Sequence, residues 1–192
     1  MSEGYVLDLR KILGPRPLVV ACASIIIYNE EGILLQKRKD TGCWSYHGGS
    51  IEPGETAEEA ASRELFEEIG LTVGNMELFT VCSGEEQHFC YPNGDEVHIV
   101  DTVYASKDFS GQMVFEESEV LDAQWFAFDQ LPENIMPSTR TPLLDFAKKM
   151  RENIENIIVE CKRNFSFNTV RFVYHPDFIY FFFLNHKLTL FG

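Results

Sequence analysis

The chain of 192 residues lacks several features that define common classes of protein. No apolar run approaches the roughly 18 residues that a membrane-spanning helix needs, and the first residues lack the basic-then-apolar order of a signal peptide. Basic residues are scarce, since 16 Lys and Arg stand against 30 Asp and Glu for a formal net charge of −14. Because nucleic-acid backbones are bound by an excess of Lys and Arg, we expect no long nucleic acid and no membrane among its partners.

The cysteines form no recognisable framework. There are five, an odd number, and neither a CxxC pair nor a disulfide-scaffold spacing occurs. Such usage is typical of a reducing compartment, so we expect a cytoplasmic location. Two nucleotide-binding signatures are also missing: there is no GxGxxG fingerprint, and no glycine-rich loop ends in the Lys-Ser/Thr of a P-loop.

The chain does have a globular composition, which changes sharply near residue 160. With 45% hydrophobic and 24% charged residues, it can form one sizeable core. Residues 161–192 carry four basic residues against one acidic residue, and they hold ten of the aromatic side chains. We therefore predict an N-terminal helix and lead-in at 1–16, a domain at 17–160 and an aromatic-rich basic tail at 161–192.

The role of the tail is open. Its apolar run from Phe178 to Leu184 is too short to span a bilayer, so it is a strand, a packing tail or a self-association surface. The alternative is an appended segment with no part in the chemistry. The tail and the first helix are candidate surfaces for a homodimer.

Hydrophobic spacing before residue 160 alternates between strand and helix patterns. The stretch from Asn29 to Gly32 indicates a turn, and Asn93-Gly94 between apolar runs indicates a hairpin. Strands mixed with two substantial helices are typical of an α/β layered domain. The predicted helices lie at 5–13, 56–69 and 141–158, and the predicted strands lie at 18–28, 33–37, 71–82, 86–91, 96–106 and 120–127.

The charges on the predicted helix at 56–69 oppose its stability. Glu64, Glu67 and Glu68 fall within an arc of about 100°, where like charges cost about 0.2–0.5 kcal/mol per pair. A hard divalent cation such as Mg²⁺ or Mn²⁺ would turn these carboxylates into ligands, and the alternative is a solvated acidic face. The ends of the helix are marked by a capping box at Thr56 and Glu59 and by Gly70 at the C′ position.

The segment before this helix is rich in glycine. Gly48, Gly49 and Gly54 lie in a tight turn that leads directly to Glu55. Such a loop lets the backbone approach a ligand that side chains would otherwise keep away. The loop therefore strengthens the case for a binding site at the start of the helix.

Loop and helix together resemble a known family. Gly49, Glu55 and the run from Arg63 to Leu71 fill every fixed position of the 23-residue Nudix box at the right spacing. The order of elements over residues 17–155 is also similar to that of a Nudix domain. The resemblance implies a Nudix fold, a three-layer α/β/α sandwich around a mixed β-sheet.

The same resemblance implies the chemistry and the residues that perform it. It implies hydrolysis of the diphosphate linkage in a nucleoside diphosphate derivative, with Mg²⁺ or Mn²⁺ as cofactor. Arg63 and Glu55 would brace the loop against the helix, Gly70 would have a structural role in the box, and Arg63 is also predicted to be catalytic. The implied metal ligands are Glu64, Glu67, Glu68 and the backbone carbonyl of Gly49.

Many Nudix enzymes use a further carboxylate from a downstream loop. Glu119 is the first candidate here, with Glu116 and Glu117 behind it, and each could instead be a solvated loop acid. The general base would be Glu64 or Glu119, and the sequence does not choose between them.

The candidate substrate-binding residues lie near the box. His47 stands where the family usually has Pro, and it is either a packing residue or a phosphate donor. Arg38 could contact phosphate or solvate a strand edge. Aromatic side chains could stack on a base, although in strands they more often belong to the core. The aromatic candidates are Trp44, Tyr46, Phe89 and Tyr91.

Three alternative functions remain at this point. One is a non-catalytic Nudix-like sensor that binds a nucleotide and controls a partner. Another is an enzyme that acts on RNA caps or lipid-linked diphosphates, which the acidic chain and the missing anchor disfavour. The third is a metal-buffering domain. Among small substrates, we expect ADP-ribose, a dinucleoside polyphosphate, a nucleotide sugar or a modified nucleoside triphosphate.

Overall fold

A computed structural model describes residues 4–91, 93–164, 170–175 and 178–183, with side chains described up to residue 160. Three helices and twelve strands make up the regular structure of this part of the chain. In chain order they are α1 (Tyr5–Leu13), β1 (Leu18–Asn29), β2 (Gly32–Arg38), β3 (Trp44–Ser45), β4 (His47–Ser50), α2 (Ala57–Ile69), β5 (Leu71–Val73), β6 (Glu77–Cys82), a 3-10 turn (Glu85–Gln87), β7 (His88–Cys90), β8 (Glu96–Ser106), β9 (Phe109–Gly111), β10 (Val120–Phe126), α3 (Pro137–Asn164), β11 (Val170–His175) and β12 (Phe178–Phe183).

Strand β1 lies at the centre of a mixed sheet. The main path of the sheet runs β10-β2-β1-β8-β6, and β3, β4 and β7 add to β2, β1 and β8 respectively. β1 and β8 are parallel over their whole pairing, whereas β2 and β4 run antiparallel to β1. The glycine-bearing strand β4 and the long strand β8 therefore both adjoin β1, which brings distant parts of the sequence to one place.

The two faces of the sheet are covered by different helices. On one face Ile25 and Ile27 of β1 and Leu34 of β2 pack against Leu65 and Ile69 of α2. On the other face the alternate residues, Ile26, Ile33 and Leu35, pack against Leu143 and Phe146 of α3. Successive side chains of a strand point to opposite faces, so runs that are apolar at every position belong to a sheet buried on both sides. The predicted α/β/α sandwich around a mixed sheet is confirmed.

Both predicted turns are confirmed. Asn29 pairs with Gly32 across the β1–β2 turn, and its side-chain oxygen accepts from the backbone N–H of Glu31 at 2.8 Å. In the second turn Gly94 has a φ of +89°, and the backbone N–H of Tyr91 donates to the carbonyl of Asp95 at 2.8 Å. This turn joins β7 to β8 as an antiparallel hairpin.

The single strand predicted at 71–82 was wrong, because the chain forms two strands there. β5 pairs with β9, which the sequence did not predict, in a separate two-stranded sheet, and β6 joins the main sheet. At the break, the backbone N–H groups of Gly74 and Asn75 donate to the carbonyl and the carboxylate of Asp108, each at 2.8 Å. A Cβ on Gly74 would lie 2.2 Å from that carboxylate, so a larger residue at this bend would require the Asp108 side chain to move.

The strand predicted at 86–91 is shorter than expected, and the reason lies in α3. That helix contains Pro142, which has no N–H to donate to the carbonyl of Ser138 four residues earlier. The buried side chain of Gln87 donates to this carbonyl instead, at 2.6 Å. Gln87 thus belongs to a 3-10 turn docked against α3, and the strand begins only at His88.

The last helix and the tail extend beyond the predicted elements. α3 runs from Pro137 to Asn164, longer than the predicted 141–158, and continues past the predicted boundary at 160. The apolar run of the tail contains β12, which pairs with β11 as an antiparallel hairpin; Leu184 and the end of the chain lie outside the described residues. The division at 16 and 160 stays a prediction. Within the described segments, none of the helices combines the length and apolar character that a bilayer span requires.

Candidate active site

A cavity of about 1030 Å³ opens where β4, the second half of α2 and β8 come together. Its lining includes the box residues Gly49, Glu64, Glu67 and Glu68. The described part of the chain thus places all four predicted metal ligands on one wall of a single space.

Two glycines allow the backbone of β4 to pass between β1 and α2. Gly48 has a φ of +148°, and a Cβ there would lie 2.6 Å from the backbone carbonyl of Ala23. A Cβ on Gly49 would lie 2.5 Å from Oε1 of Glu64. Because real contacts of this kind are essentially never so short, neither position accepts a side chain without a shift. The glycines predicted from the sequence therefore permit close approach of backbone to carboxylate.

Arg63 connects the helix to the loop that precedes it. Its guanidinium donates two hydrogen bonds to Glu55, 2.6 and 3.0 Å long, and a third of 3.0 Å to the backbone carbonyl of Ser50. It also donates to Glu64 at 2.8 Å and to Glu67 at 2.9 Å. Hydrogen bonding from Arg63 lowers the pKa of the Glu55 carboxyl. The planar, multidentate guanidinium can thus fix the loop and two box carboxylates at once.

Two of the three box glutamates are largely buried. Glu68 is 3% exposed, and the backbone N–H of Gly48 donates to its Oε2 at 3.2 Å. Burial raises the pKa of Glu64 to about 7, against the hydrogen bond from Arg63, and the charge of Glu68 adds to the rise. Glu67 is different, with 57% of its side chain exposed. Burying carboxylates so close together is costly unless positive charge joins them, and this donor set suits a hard divalent cation.

Glu119 lies on a segment that is tied to the end of α2. The backbone N–H groups of Val114 and Glu116 donate to the carbonyls of Ile69 and Glu68, at 2.9 and 3.0 Å. Glu119 then lines the cavity, and partial burial together with the charge of Glu68 raises the pKa of its carboxyl. Of the other two candidates, Glu116 lines the cavity, whereas Glu117 is not among the lining residues.

Three of the candidate substrate-binding side chains face the cavity. Arg38 is held by Asp40, to which it donates two hydrogen bonds of 3.0 and 2.7 Å. Tyr46 is buried and donates to Asp101 at 3.0 Å. Tyr91 comes from the β7–β8 turn, far away in sequence. One cation and two aromatic rings therefore accompany the box carboxylates.

The remaining candidates lie away from the cavity lining. Trp44 packs edge-on against Phe126, with ring centroids 4.8 Å apart, in the core between the sheet and α3. Phe89 packs against Tyr91 at 4.9 Å. His47 is fully buried, and its Nδ1 lies 3.5 Å from Oε2 of Glu68, beyond hydrogen-bonding geometry. The structure thus brings together part of the predicted substrate-binding set.

Asp101 is a buried acid of the cavity that was not predicted from the sequence. It is 5% exposed and accepts hydrogen bonds from Ser24 at 2.8 Å and from Tyr46 at 3.0 Å. Burial raises the pKa of its carboxyl, and these two hydrogen bonds oppose the rise. The available signal was a carboxylate within an otherwise apolar stretch of a long predicted strand, since acids are rarely buried there without a partner.

Comparison with known proteins decides the family. The family model described as the NUDIX domain matches residues 19–146, which is more than half of the chain and includes the whole box. The chain belongs to the Nudix family. Membership of the Nudix family and the Nudix fold are therefore confirmed, and the family supports the predicted Nudix-type pyrophosphohydrolase.

Solved Nudix structures agree with this assignment. A MutT Nudix hydrolase from Burkholderia pseudomallei is 32% identical, with a TM-score of 0.58 over 66% of this chain and 96% of that one. A MutT protein from Bacillus halodurans is 25% identical, with a TM-score of 0.51 over 61% of this chain and 74% of its own. The shared region is the Nudix domain, so the N-terminal residues that also line the cavity, Gly4, Val6 and Leu7, lie outside the family match.

The names of curated Nudix relatives bear on one prediction. Proteins named NAD-capped RNA hydrolase NudC match from Haemophilus influenzae, at 37% identity over 64% of this chain, and from Salmonella typhi, at 28% identity over 78%. The chain spans about half the length of these relatives, 45% and 51% respectively. Their name conflicts with the expectation that no long nucleic acid is a partner. The net charge is a sum over the whole protein, whereas the end of an RNA need only reach one cavity. The net charge alone therefore does not exclude a nucleic acid as a partner.

Proposed function

We propose that this Nudix protein hydrolyses the diphosphate linkage of a nucleoside diphosphate derivative, with Mg²⁺ or Mn²⁺ held at the box. The observation that carries the proposal is the convergence of Glu64 and Glu68 on the backbone of Gly48 and Gly49 at one wall of a large cavity. Arrays of oxygen ligands are what these hard cations prefer.

The local chemistry fits a divalent cation. Glu64 and Glu68 are largely buried. Arg63 donates to Glu64 and the backbone N–H of Gly48 donates to Glu68, and the pKa of Glu64 is raised to about 7. The carbonyl of Gly49 would complete a set of oxygen donors with these two carboxylates and with Glu67. A bound cation supplies neutralisation of the diphosphate oxygens and activation of a water molecule.

The protein's own residues would orient the cation ligands and move the proton. Arg63 fixes Glu64 and Glu67 while remaining bound to the loop through Glu55. We assign the general base to Glu119 rather than Glu64, because Arg63 already engages Oε1 of Glu64. The raised pKa of Glu119 brings the carboxylate closer to the range in which it can accept a proton from water.

Substrate binding is assigned to the side chains that line the cavity. Arg38, fixed by Asp40, would contact a phosphate oxygen, and Tyr91 would stack on a base or nicotinamide-like ring. The assignment leaves out Trp44 and His47, since both lie outside the lining. Tyr46, held by Asp101, would shape the floor of the site.

The family and the relatives' name support a class of substrate. NAD-type dinucleotides, in which a diphosphate joins two nucleosides, are added to the substrates expected from the sequence. A free dinucleotide and the capped end of an RNA share this chemistry, and a substrate panel can separate them.

The test is one panel of substrates on the full chain, with Mg²⁺ and Mn²⁺ in parallel. The panel holds NAD, ADP-ribose, a dinucleoside polyphosphate, a nucleotide sugar, an oxidised nucleoside triphosphate and an NAD-capped RNA, with products separated by chromatography. We expect metal-dependent release of a nucleoside monophosphate from at least one member. Glu68→Gln should abolish it, whereas Glu152→Gln, an exposed carboxylate on α3, should not.

Two outcomes would overturn the proposal. Binding of nucleotides without turnover of any panel member would favour the sensor. Turnover that survives chelation of divalent ions would exclude the assigned role of the box.

A further inference from the structure

A second cluster of metal-ligand side chains lies outside the cavity, on the β7–β8 hairpin. His88 and His98 are directly opposite each other in the antiparallel pairing, and their rings stack with centroids 4.7 Å apart at an interplanar angle of 26°. Glu96 precedes His98 by two residues, so its side chain leaves the same face of β8. None of the three lines the cavity of the box.

The ligand atoms of these side chains already converge. Nε2 of His88 lies 2.9 Å from Oε1 of Glu96, and Nε2 of His98 lies 4.0 Å from the same oxygen. One ligand atom from each residue falls within 4.8 Å of the others. Two ligands of a tetrahedral zinc ion, each about 2.0–2.2 Å from the metal, lie about 3.4 Å apart. The observed separations bracket this value, and the side chains are exposed enough to rotate and adjust.

We propose that His88, Glu96 and His98 bind a borderline divalent cation, Zn²⁺ above all, at a site separate from the Nudix box. Imidazole nitrogen suits Zn²⁺, whereas the all-oxygen box suits Mg²⁺ or Mn²⁺, so the two sites select different ions by ligand type. This inference does not depend on the proposed hydrolysis.

A candidate fourth ligand lies on the same face of the hairpin. Cys90 is exposed and pairs directly with Glu96 across the hairpin, just as His88 pairs with His98. In the structure its thiol donates to the carbonyl of Tyr91 at 3.9 Å, and it is not among the ligand atoms that already converge. The four residues form two cross-strand pairs with the composition of a zinc site.

The hairpin holds these strands in register without an ion. The turn is closed by the hydrogen bond from Tyr91 to Asp95, and Arg10 of α1 lies 3.6 Å from the carboxylate of Asp95. An ion would add a cross-link between β7 and β8. Since Gln87 and Tyr91 flank β7 and line the cavity, that cross-link would also fix one side of the cavity.

The experiment measures Zn²⁺ binding to the full chain by calorimetry in millimolar Mg²⁺, which competes for the carboxylate site. We expect one equivalent of Zn²⁺ to bind, and His88→Ala and His98→Ala each to lower the affinity at least about tenfold. Glu152→Gln is the control, since it removes an exposed carboxylate on α3 that is not part of the cluster and should leave the affinity unchanged. Circular dichroism of each variant checks that the fold persists.

A second measurement separates this site from the box. Zn²⁺ should raise the melting temperature of the wild type and of Glu68→Gln, but not that of His88→Ala. No Zn²⁺ binding, equal affinity in His88→Ala, or loss of binding in Glu68→Gln would each overturn the proposal.

Discussion

The carboxylate cluster on α2 and the histidine cluster on the β7–β8 hairpin are built under opposite conditions. At α2, Glu68 is 3% exposed, and Arg63 donates hydrogen bonds to the neighbouring carboxylates of Glu64 and Glu67. On the hairpin, His88 and His98 expose 41% and 47% of their side chains, and the three residues are joined by one hydrogen bond of 2.9 Å.

The difference indicates how each site would obtain its geometry. A buried cluster costs stability and must be fixed by its surroundings before a ligand arrives, which is the condition for precise positioning. An exposed cluster costs little and can adjust its rotamers when the ion binds. Disturbing the first should therefore affect activity and stability strongly, whereas disturbing the second should affect mainly the binding of its own ion.

The largest effect is expected from Glu68→Gln. The substitution keeps the shape of the side chain but removes a buried negative charge beside Gly48. Because loss of groups that merely support a metal ligand costs 10–100-fold, loss of a ligand should lower metal-dependent turnover by at least about a hundredfold. Turnover within a few-fold of the wild type would mean that this carboxylate holds no cation.

Arg63→Lys should have the next largest effect. Lysine cannot reproduce the hydrogen bonds to Glu55, Glu64, Glu67 and the carbonyl of Ser50, and it leaves carboxylates without a partner. We expect the free energy of unfolding to fall by about 1–3 kcal/mol in urea titrations. An unchanged midpoint would show that loop and helix are held together by other contacts.

Gly49→Ala tests the close approach of backbone and carboxylate. The new Cβ would lie 2.5 Å from Oε1 of Glu64, so this carboxylate must move, while the backbone conformation itself is open to alanine. We expect kcat/KM to fall at least about tenfold, which corresponds to about 1.4 kcal/mol. The melting temperature serves as the control, and a large drop there would point to misfolding instead.

The raised pKa of Glu64 predicts a pH dependence of stability in the metal-free protein. Its pKa is about 7 in the folded state, above the ordinary value of 4.5, so the folded chain binds more protons between these values. The free energy of unfolding contributed by this group therefore falls as pH rises from about 4.5 to about 7 and then levels. Urea unfolding in a chelator should show this fall in the wild type but not in Glu64→Gln, and parallel curves would contradict it.

The smallest effect is expected on the hairpin. Glu96→Gln removes an exposed charge from the histidine cluster, and without metal the free energy of unfolding should change by less than about 0.5 kcal/mol. Urea titration in a chelator measures this, with Glu152→Gln as an exposed control. A loss of more than 1 kcal/mol, by contrast, would mean that the hairpin depends on this pair.

Sequence reasoning succeeded where the relevant residues are contiguous or strictly periodic. The box occupies 23 consecutive positions, and Thr56, Glu59 and Gly70 form the expected capping box and left-handed C-cap. Strand patterns mixed with two substantial helices indicated an α/β layered domain. Each of these features depends on local geometry that the spacing encodes directly.

Reasoning from spacing failed where a partner comes from far away along the chain. The side chain of Gln87 donates to the carbonyl of Ser138, which Pro142 leaves without its helical partner. The residues around Gln87 give no sign of this distant contact, so the short 3-10 turn was predicted as part of a strand. Likewise, the sequence left open whether Trp44 stacks on a base or belongs to the core, because its contact with Phe126 comes from a distant part of the chain. Burial depends on which elements pack together, and a single sequence does not record that.

The sequence by itself determined the fold class, the ends of α1 and α2 and the carboxylates of the box, since these follow from periodicity and from fixed local spacing. Only the tertiary structure decided which residues share the cavity: parallel pairing of β1 with β8 places Asp101 beside Ser24, and the hairpin brings Tyr91 to the same space. The same holds for the histidine cluster, whose members face one another because β7 and β8 pair in one register. The strong acidity of the chain disfavoured nucleic-acid partners when taken as a total, whereas its concentration at residues 49–71 marks where a cation would bind. The physical reason is that electrostatic energy depends on distance and burial, which sequence separation does not specify.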